Sequence, residues 1–295
     1  MLNLHLVRLF AAVAEHGSFS RAAESLGVTQ PAVSRGVGAL EDEIGMPLVE
    51  RGARGARLTE AGRALHAHAR VILNAERAAE AELGELRGLR GGTLHVGAST
   101  TIATYVLPRV VAAYRRTHPG VRLRVTSANT QDILALLLER GVDVALVEGP
   151  IANPHVEITP WGDDELVVIA GKHHPLSALD PVPARELTRQ LFIVREAGSG
   201  TREVLERTLR VRRIRLGRTL EVGSTEAIKQ TVAAGLGISV VSRAAAADQL
   251  ALGKLALLRV RGFPVQRTFN RIALRGHRPS AAARAFEAML AVPGS

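Results

Sequence analysis

Only three residues, Gly27-Val28-Thr29, separate two amphipathic stretches near the start of the chain, and this short turn restricts the fold more than any other feature. Upstream, Leu6, Leu9, Phe10 and Val13 recur at i, i+3, i+4 and i+7, the stripe of a helix that buries one face, and Gly17 ends it. Ser20 is placed to cap a second helix through Arg21-Ala22-Ala23-Glu24-Ser25-Leu26, which Gly27 stops. Thr29 is placed to cap a third helix beginning Gln30-Pro31, where proline is tolerated because first-turn amides lack intrahelical partners. Two helices joined by so short a glycine-containing turn form a helix-turn-helix.

In the third helix Val33, Val37, Leu40 and Ile44 form the buried face, and a step of about 100° per residue puts Arg35 almost opposite, flanked by Pro31, Ser34 and Gly38. A guanidinium on that face suits the two acceptors of guanine in a major groove, with Gln30 and Ser34 able to bond bases or phosphates. Ser20 and Arg21, at the start of the preceding helix, join the expected DNA contacts. From Pro47 to Thr59 a glycine-punctuated basic stretch reads as a β-hairpin wing, with Arg51, Arg54 and Arg57 directed to the phosphate backbone or the adjacent minor groove.

Thr59 can cap the next helix, in which Leu65, Ala69, Ile72, Glu76, Ala79, Leu83 and Leu86 alternate steps of four and three. Such a rod cannot bury its stripe alone. Dimerisation through Leu65, Ile72, Ala79, Leu83 and Leu86 is therefore expected, and it matches a two-fold symmetric DNA site.

After Gly91-Gly92 the pattern changes to strands alternating with helices, which predicts an α/β domain with a largely parallel sheet. Expected organisation is a winged helix-turn-helix over 1–59, a linker helix over 60–90 and an α/β effector domain over 91–295. Ligands of such sheets sit beyond the carboxyl ends of the strands, near free helix amides. Three segments there carry hydroxyls or glycines: Ser99-Thr100-Thr101, Ser199-Gly200-Thr201-Arg202 and Ser224-Thr225. With Arg195 they are the candidate site for a small anionic effector.

Charge supports this division. The net charge is +10, yet residues 1–90 balance 11 basic against 11 acidic side chains while residues 91–295 hold 27 against 17. The excess therefore sits outside the helix-turn-helix, on a solvated surface or near an anionic ligand. Aromatics are only 3%, which disfavours base-stacking modules for single strands and leaves duplex DNA as the nucleic-acid partner. There is no cysteine, hence no disulfide or thiolate metal site. No export signal or stretch of ~18 apolar residues is evident, and a cytoplasmic location is expected. Ser199 lies in Gly-Ser-Gly-Thr rather than a nucleophile elbow, no phosphate-loop or zinc-protease pattern occurs, and neither His66-Ala67-His68 nor His173-His174 is spaced for a metal. No catalytic residue, metal or cofactor is expected.

The N-terminal segment resembles the LysR-type transcriptional regulator family. The resemblance is carried by Phe10 to Glu15, Gly17 to Ala23, Leu26, Gln30-Pro31-Ala32-Val33-Ser34-Arg35, Leu40-Glu41, Gly45, Pro47-Leu48, Arg51 and Leu58 to Gly62. The chain departs from the family at Gly36 and Gly38, where a large and then a basic side chain are usual, and at Val49, where an aromatic is usual. Further on, Gly97, Leu107-Pro108, His118-Pro119, Gly141 to Leu146 and Gly235 to Ile238 extend the resemblance. It implies two subdomains of periplasmic-binding-protein type, about 91–166 with 266–295 and about 167–265, with an effector in their cleft. It also implies a dimer or dimer of dimers on an interrupted palindrome, meeting RNA polymerase if it activates. Arg195 to Arg202 is similar to a motif of the subgroup regulating carbon fixation and sulfur assimilation. Two rival readings are an enzyme or solute-binding protein on the same scaffold, and a constitutive DNA-binding protein with an empty cleft.

Overall fold

The computed structural model describes residues 2–52, 55–86, 92–261 and 263–290. Arg54 and the side chains of Arg51 and Leu86 lie outside the described residues. The chain divides into two compact units, Met1–Arg87 with Glu139–Gly141, and Gly88–Leu138 with Val142–Ser295.

In the first unit, α1 (Leu4–His16) starts at Asn3, whose side chain accepts from the His5 amide, and stops at Gly17 with φ 58°. Helix α2 (Phe19–Leu26) follows at once. Its N-cap is Ser18 rather than Ser20, because the residue after the left-handed Gly17 is the extended one and its hydroxyl accepts from the Arg21 amide. Helix α3 (Gln30–Ile44) does begin after Thr29, but the threonine side chain makes no capping bond; its carbonyl accepts from the Ala32 and Val33 amides. Gly36 has a steric reason. A Cβ there would stand 2.2 Å from Leu9 Cδ1, so α1 and α3 touch where the glycine sits, whereas Gly38 has nothing within 4 Å.

Strands β1 (Val49–Gly52) and β2 (Gly55–Leu58) form the antiparallel wing, pairing Val49 with Leu58. Helix α4 (Glu60–Leu86) is fastened to it by Thr59, whose hydroxyl accepts from the Gly62 amide at 2.9 Å and donates to the Pro47 carbonyl at 2.8 Å. The unit's core joins Phe10, Val13, Val33, Leu40 and Leu48 to Ala69 and Leu73 of α4, with Leu65 packed against it. Leu65 and Ala69 are thus used within the protomer, and the expected dimerisation seam narrows to its C-terminal part, where Ala79 is exposed and Leu83 is 57% exposed.

The second unit contains β3 (Gly92–Ser99), a π-turn (Ile102–Val106), α5 (Leu107–Thr117), β4 (Val121–Ala128), α6 (Thr130–Leu138), β5 (Val144–Glu148) and β6 (Val156–Gly171). Next come β7 (Leu191–Val194), α7 (Gly200–Val211), β8 (Arg218–Glu221), α8 (Thr225–Ala233), β9 (Ile238–Ser242), α9 (Arg243–Ala251), β10 (Leu255–Leu258), β11 (Val265–Leu274) and α10 (Ala281–Leu290). The sheet order is β4-β3-β5-β11-β6-β9-β7-β8, with β10 added to β6.

The sheet is mixed rather than largely parallel. β3 with β4 and β5, and β7 with β8 and β9, are parallel; β6 and β11 pair antiparallel with each other and with their other neighbours. Strand β6 begins beside β11, pairing Val156 with Leu274, and ends beside β9, pairing Ala170 with Ile238. These two strands therefore run through both halves of the unit. Each half buries its own cores, one around Leu94, Tyr114 and Phe286 and another around Ile133 and Ile272, the other half around Phe192, Leu205 and Ile238 and around Ile228 and Val241. Two halves, each with its own cores, are thus joined by continuous strands. Among the described residues no helix is long and apolar enough to cross a membrane.

Candidate DNA face and effector cleft

In the first unit the buried stripe of α3 holds its opposite face outward. Gln30, Pro31 and Arg35 are exposed, and Ser34 is half-buried. Ser20 and Arg21 are exposed on the first turn of α2, and Arg57 is exposed on β2 of the wing. This is a helix with an outward polar face, an adjoining helix terminus and a two-stranded ribbon, which can present base-reading and phosphate-binding groups together.

In the second unit the candidate effector residues separate into two constellations. One is centred on Arg195, which leaves β7 and is 4% exposed. Its Nη1 donates to Thr225 Oγ1 at 2.8 Å, its Nη2 reaches Thr100 Oγ1 at 3.5 Å, and its Nε and Nη2 each lie 2.7 Å from the Glu196 carboxylate. Thr100 follows β3 and Thr225 opens α8, so the guanidinium joins the two halves. The Ser224 hydroxyl caps α8 through the Ala227 amide. Free first-turn amides, two threonine hydroxyls and an arginine are the chemistry of an oxyanion site. The Glu196 carboxylate pairs with the guanidinium in this structure.

The other constellation is a buried ionic network. Arg267 of β11 donates through Nε to Asp164 of β6 at 2.6 Å and through Nη1 to Thr201 Oγ1 at 2.9 Å, and its Nη1 lies 3.6 Å from Glu148. Arg267 Nη2 is also 2.6 Å from the Asp164 carboxylate but is poorly aligned for a hydrogen bond. Ser99 donates to Glu148, Ser242 donates to Asp164 at 2.7 Å, and Thr101 also hydrogen-bonds Glu148. Burial pushes the Glu148 carboxyl above the usual range, while Arg267 and the Thr101 hydroxyl pull it down. Gly200 lets α7 begin against this network: a Cβ there would lie 1.9 Å from the Glu148 carbonyl oxygen.

Ser99, Thr101 and Thr201 therefore belong to the network that joins β6 and β11 to β3 and α7, and Thr100, Arg195 and Thr225 to the oxyanion constellation. Ser199 is buried at the N-cap of α7. Arg202 stands apart from both. It bonds Glu206 at 2.7 Å, Glu221 at 2.6 Å and the Arg195 carbonyl at 3.0 Å, and those carboxylates raise its pKa. It is a brace between α7 and β8.

Several participants were missed in the sequence. Glu148 had a legible signal, a carboxylate closing the apolar run Val144 to Val147. Arg267 and Asp164 had none, since nothing in the sequence around either shows that it is buried. Tyr105, in the π-turn, also bridges the halves: its hydroxyl bonds Glu226 at 3.1 Å, and Lys229 lies 2.8 Å from Glu226 and 4.9 Å from the centre of the Tyr105 ring.

Comparison with known proteins places these features. The model for the bacterial regulatory helix-turn-helix protein of the lysR family matches residues 4–63, and the LysR substrate binding domain model matches residues 87–292. The chain is 39% identical over 285 residues to a RuBisCO operon transcriptional regulator of Allochromatium vinosum, covering 97% of this chain and 94% of that protein. The Synechocystis CcmR regulatory domain, solved in complex with 2-PG, is 31% identical with a TM-score of 0.64 and covers 68% of this chain and 96% of its own. Full-length CbnR, solved with its target DNA, is similar in fold, with a TM-score of 0.72 at 24% identity over 98% of this chain and 99% of its own. With a helix-turn-helix, an effector-binding unit and these matches over nearly its whole length, the chain belongs to the LysR-type transcriptional regulators.

Proposed function

We propose that this regulator controls carbon-fixation genes in response to a small phosphorylated acid, and that the acid binds at Arg195, Thr100 and Thr225. The observation that carries the reading is the Arg195 guanidinium, buried between two hydroxyls contributed by different halves and paired with the Glu196 carboxylate. A phosphate of higher charge can replace Glu196, accept the same donors and receive the first-turn amides of α8. Because Thr100 and Thr225 belong to opposite halves, the bound anion favours one hinge angle over another, which is the differential affinity a switch requires. The CcmR domain in complex with 2-PG supports this ligand class, and the RuBisCO operon regulators support the target genes.

The remaining assignments follow this reading. Arg35, Gln30, Ser34 and Pro31 of α3 enter a major groove; Ser20 and Arg21 of α2 and Arg51, Arg54 and Arg57 of the wing hold the backbone. Ile72, Ala79, Leu83 and Leu86 of α4 pair with a second copy, giving a dimer or tetramer on a symmetric site. The protein works by binding rather than turnover, in the cytoplasm, and engages RNA polymerase where it activates. Mapping the genomic fragments bound by the full chain, and measuring their affinity with and without 2-phosphoglycolate, tests the proposal. Fragments upstream of RuBisCO genes with ligand-dependent affinity are expected; fragments elsewhere, or affinity indifferent to the ligand, would refute it.

A further inference from the structure

The excess positive charge of the second unit has a definite location. Between residues 200 and 220 there are seven arginines and two glutamates, a net +5 and half the charge of the whole chain. Arg202 is consumed by Glu206 and Glu221, but Arg207, Arg210, Arg212, Arg213, Arg215 and Arg218 are exposed, and none forms an ion pair among the described residues. A helix C-terminus attracts cations with about half an elementary charge, far less than this run supplies. Surface arginines usually alternate with carboxylates, so an unbalanced run raises the local concentration of anions.

Beside the run lies a groove of about 690 Å³, within the size range of small-molecule sites. Arg207, Thr208 and Arg212 form its α7 wall, Pro150 after β5 forms the facing wall, and Gln266 and Asn270 of β11 line the floor. The lining thus includes the guanidinium groups of Arg207 and Arg212, that of the buried Arg267, which Asp164 and Glu148 already meet, and the side chains of Thr208, Thr268, Gln266 and Asn270. Its residues differ from the Arg195 constellation, and its walls come from both halves of the second unit.

We infer that this groove is a second ligand site, for a small polyvalent anion held by Arg207 and Arg212. The two cations carry no carboxylate of their own, so a ligand with two or more negative charges completes them, whereas a monovalent anion leaves one unmatched. Phosphate and carboxylate chemistry both fit; inorganic tripolyphosphate and citrate are the probes that separate them. Titration calorimetry on the full chain at constant ionic strength is expected to detect at least one of them. The pair Arg207→Ala with Arg212→Ala is expected to weaken that binding at least tenfold. Arg213→Ala with Arg215→Ala, equal in charge removed but outside the groove lining, is expected to weaken it less than twofold. All four arginines are exposed, so their loss spares the fold. Failure of both probes to bind, equal weakening by the two pairs, or loss through Thr225→Val instead, which would put the anion in the Arg195 cleft, would each overturn the inference.

Discussion

Replacing Arg267 with methionine probes the buried network most severely. The side chain is 2% exposed and stands between Asp164 and Glu148, which are 4% and 3% exposed, so the substitution removes the cation from both and leaves them the hydroxyls of Ser99, Thr101 and Ser242. Breaking a buried ion pair by removing one partner costs about 3–5 kcal/mol, because the surviving charge stays desolvated. Glu148 adds a pH signature. Its folded-state pKa already lies above the ordinary carboxylate value, chiefly through burial, so its favourable contribution is fully present below the unfolded pKa and is lost as pH rises through the folded one. Without Arg267 the folded value moves higher still, and the variant's deficit widens from pH 5 to pH 8. Urea unfolding of the full chain at both pH values, followed through the transition of the effector unit, measures this. Adding Glu148→Gln to the variant should recover part of the loss at pH 8 and little at pH 5. A deficit independent of pH, or no recovery, would refute the coupling of these three groups.

Other consequences are as direct. Arg35→Ala should weaken specific DNA binding by about 1–3 kcal/mol and flatten base preference, whereas Arg57→Ala should weaken all sequences alike and reduce the salt slope by about one ion in anisotropy titrations. Gly38→Ala should raise helix stability by about 1 kcal/mol, since nothing lies within 4 Å of the added methyl. Gly62→Ala should destabilise by about 1–3 kcal/mol, because its Cβ would meet the Leu48 carbonyl oxygen at 2.0 Å; thermal melts of the two variants measure both effects. If α4 pairs with a second copy as proposed, Leu83→Glu should leave the chain monomeric in sedimentation without loss of helical signal, Leu83 being 57% exposed on α4.

The local physics of this chain was legible where it repeats within one turn or one strand. Helices α1 and α3 follow from periodicity, the ends of α1 and α2 from Gly17 and Gly27, and the wing from its glycine-punctuated basic run. Ser18 and Ser20 both stand near the start of the second helix, and only the geometry after Gly17 makes Ser18 the cap and puts Ser20 in the first turn. Gly36 stands out in the sequence as a departure from the family pattern, but its purpose does not, since the reason is Leu9 on another helix. The long β6 strand was unread because its polar stretch Asp163-Asp164-Glu165 looks like a loop; buried pairing of Asp164 with Arg267 depends on a residue more than a hundred positions away. The hydroxyl segments were legible as segments, yet sequence could not divide Thr201 from Thr225. That division depends on which hydroxyl meets Arg267 and which meets Arg195.

The central proposal, an oxyanion switch at Arg195, is tested most directly by stabilisation with 2-phosphoglycolate in the full chain and in Thr225→Val. At 100 times its dissociation constant a ligand specific to the folded state adds about 2.7 kcal/mol. Thr225→Val removes the hydroxyl 2.8 Å from Arg195 Nη1 and leaves the Arg267 network intact. The account predicts a clear rise in the melting temperature of the wild type that shrinks markedly in Thr225→Val. A wild type stabilised more by neutral aromatic compounds than by 2-phosphoglycolate, or an undiminished shift in Thr225→Val, would contradict it.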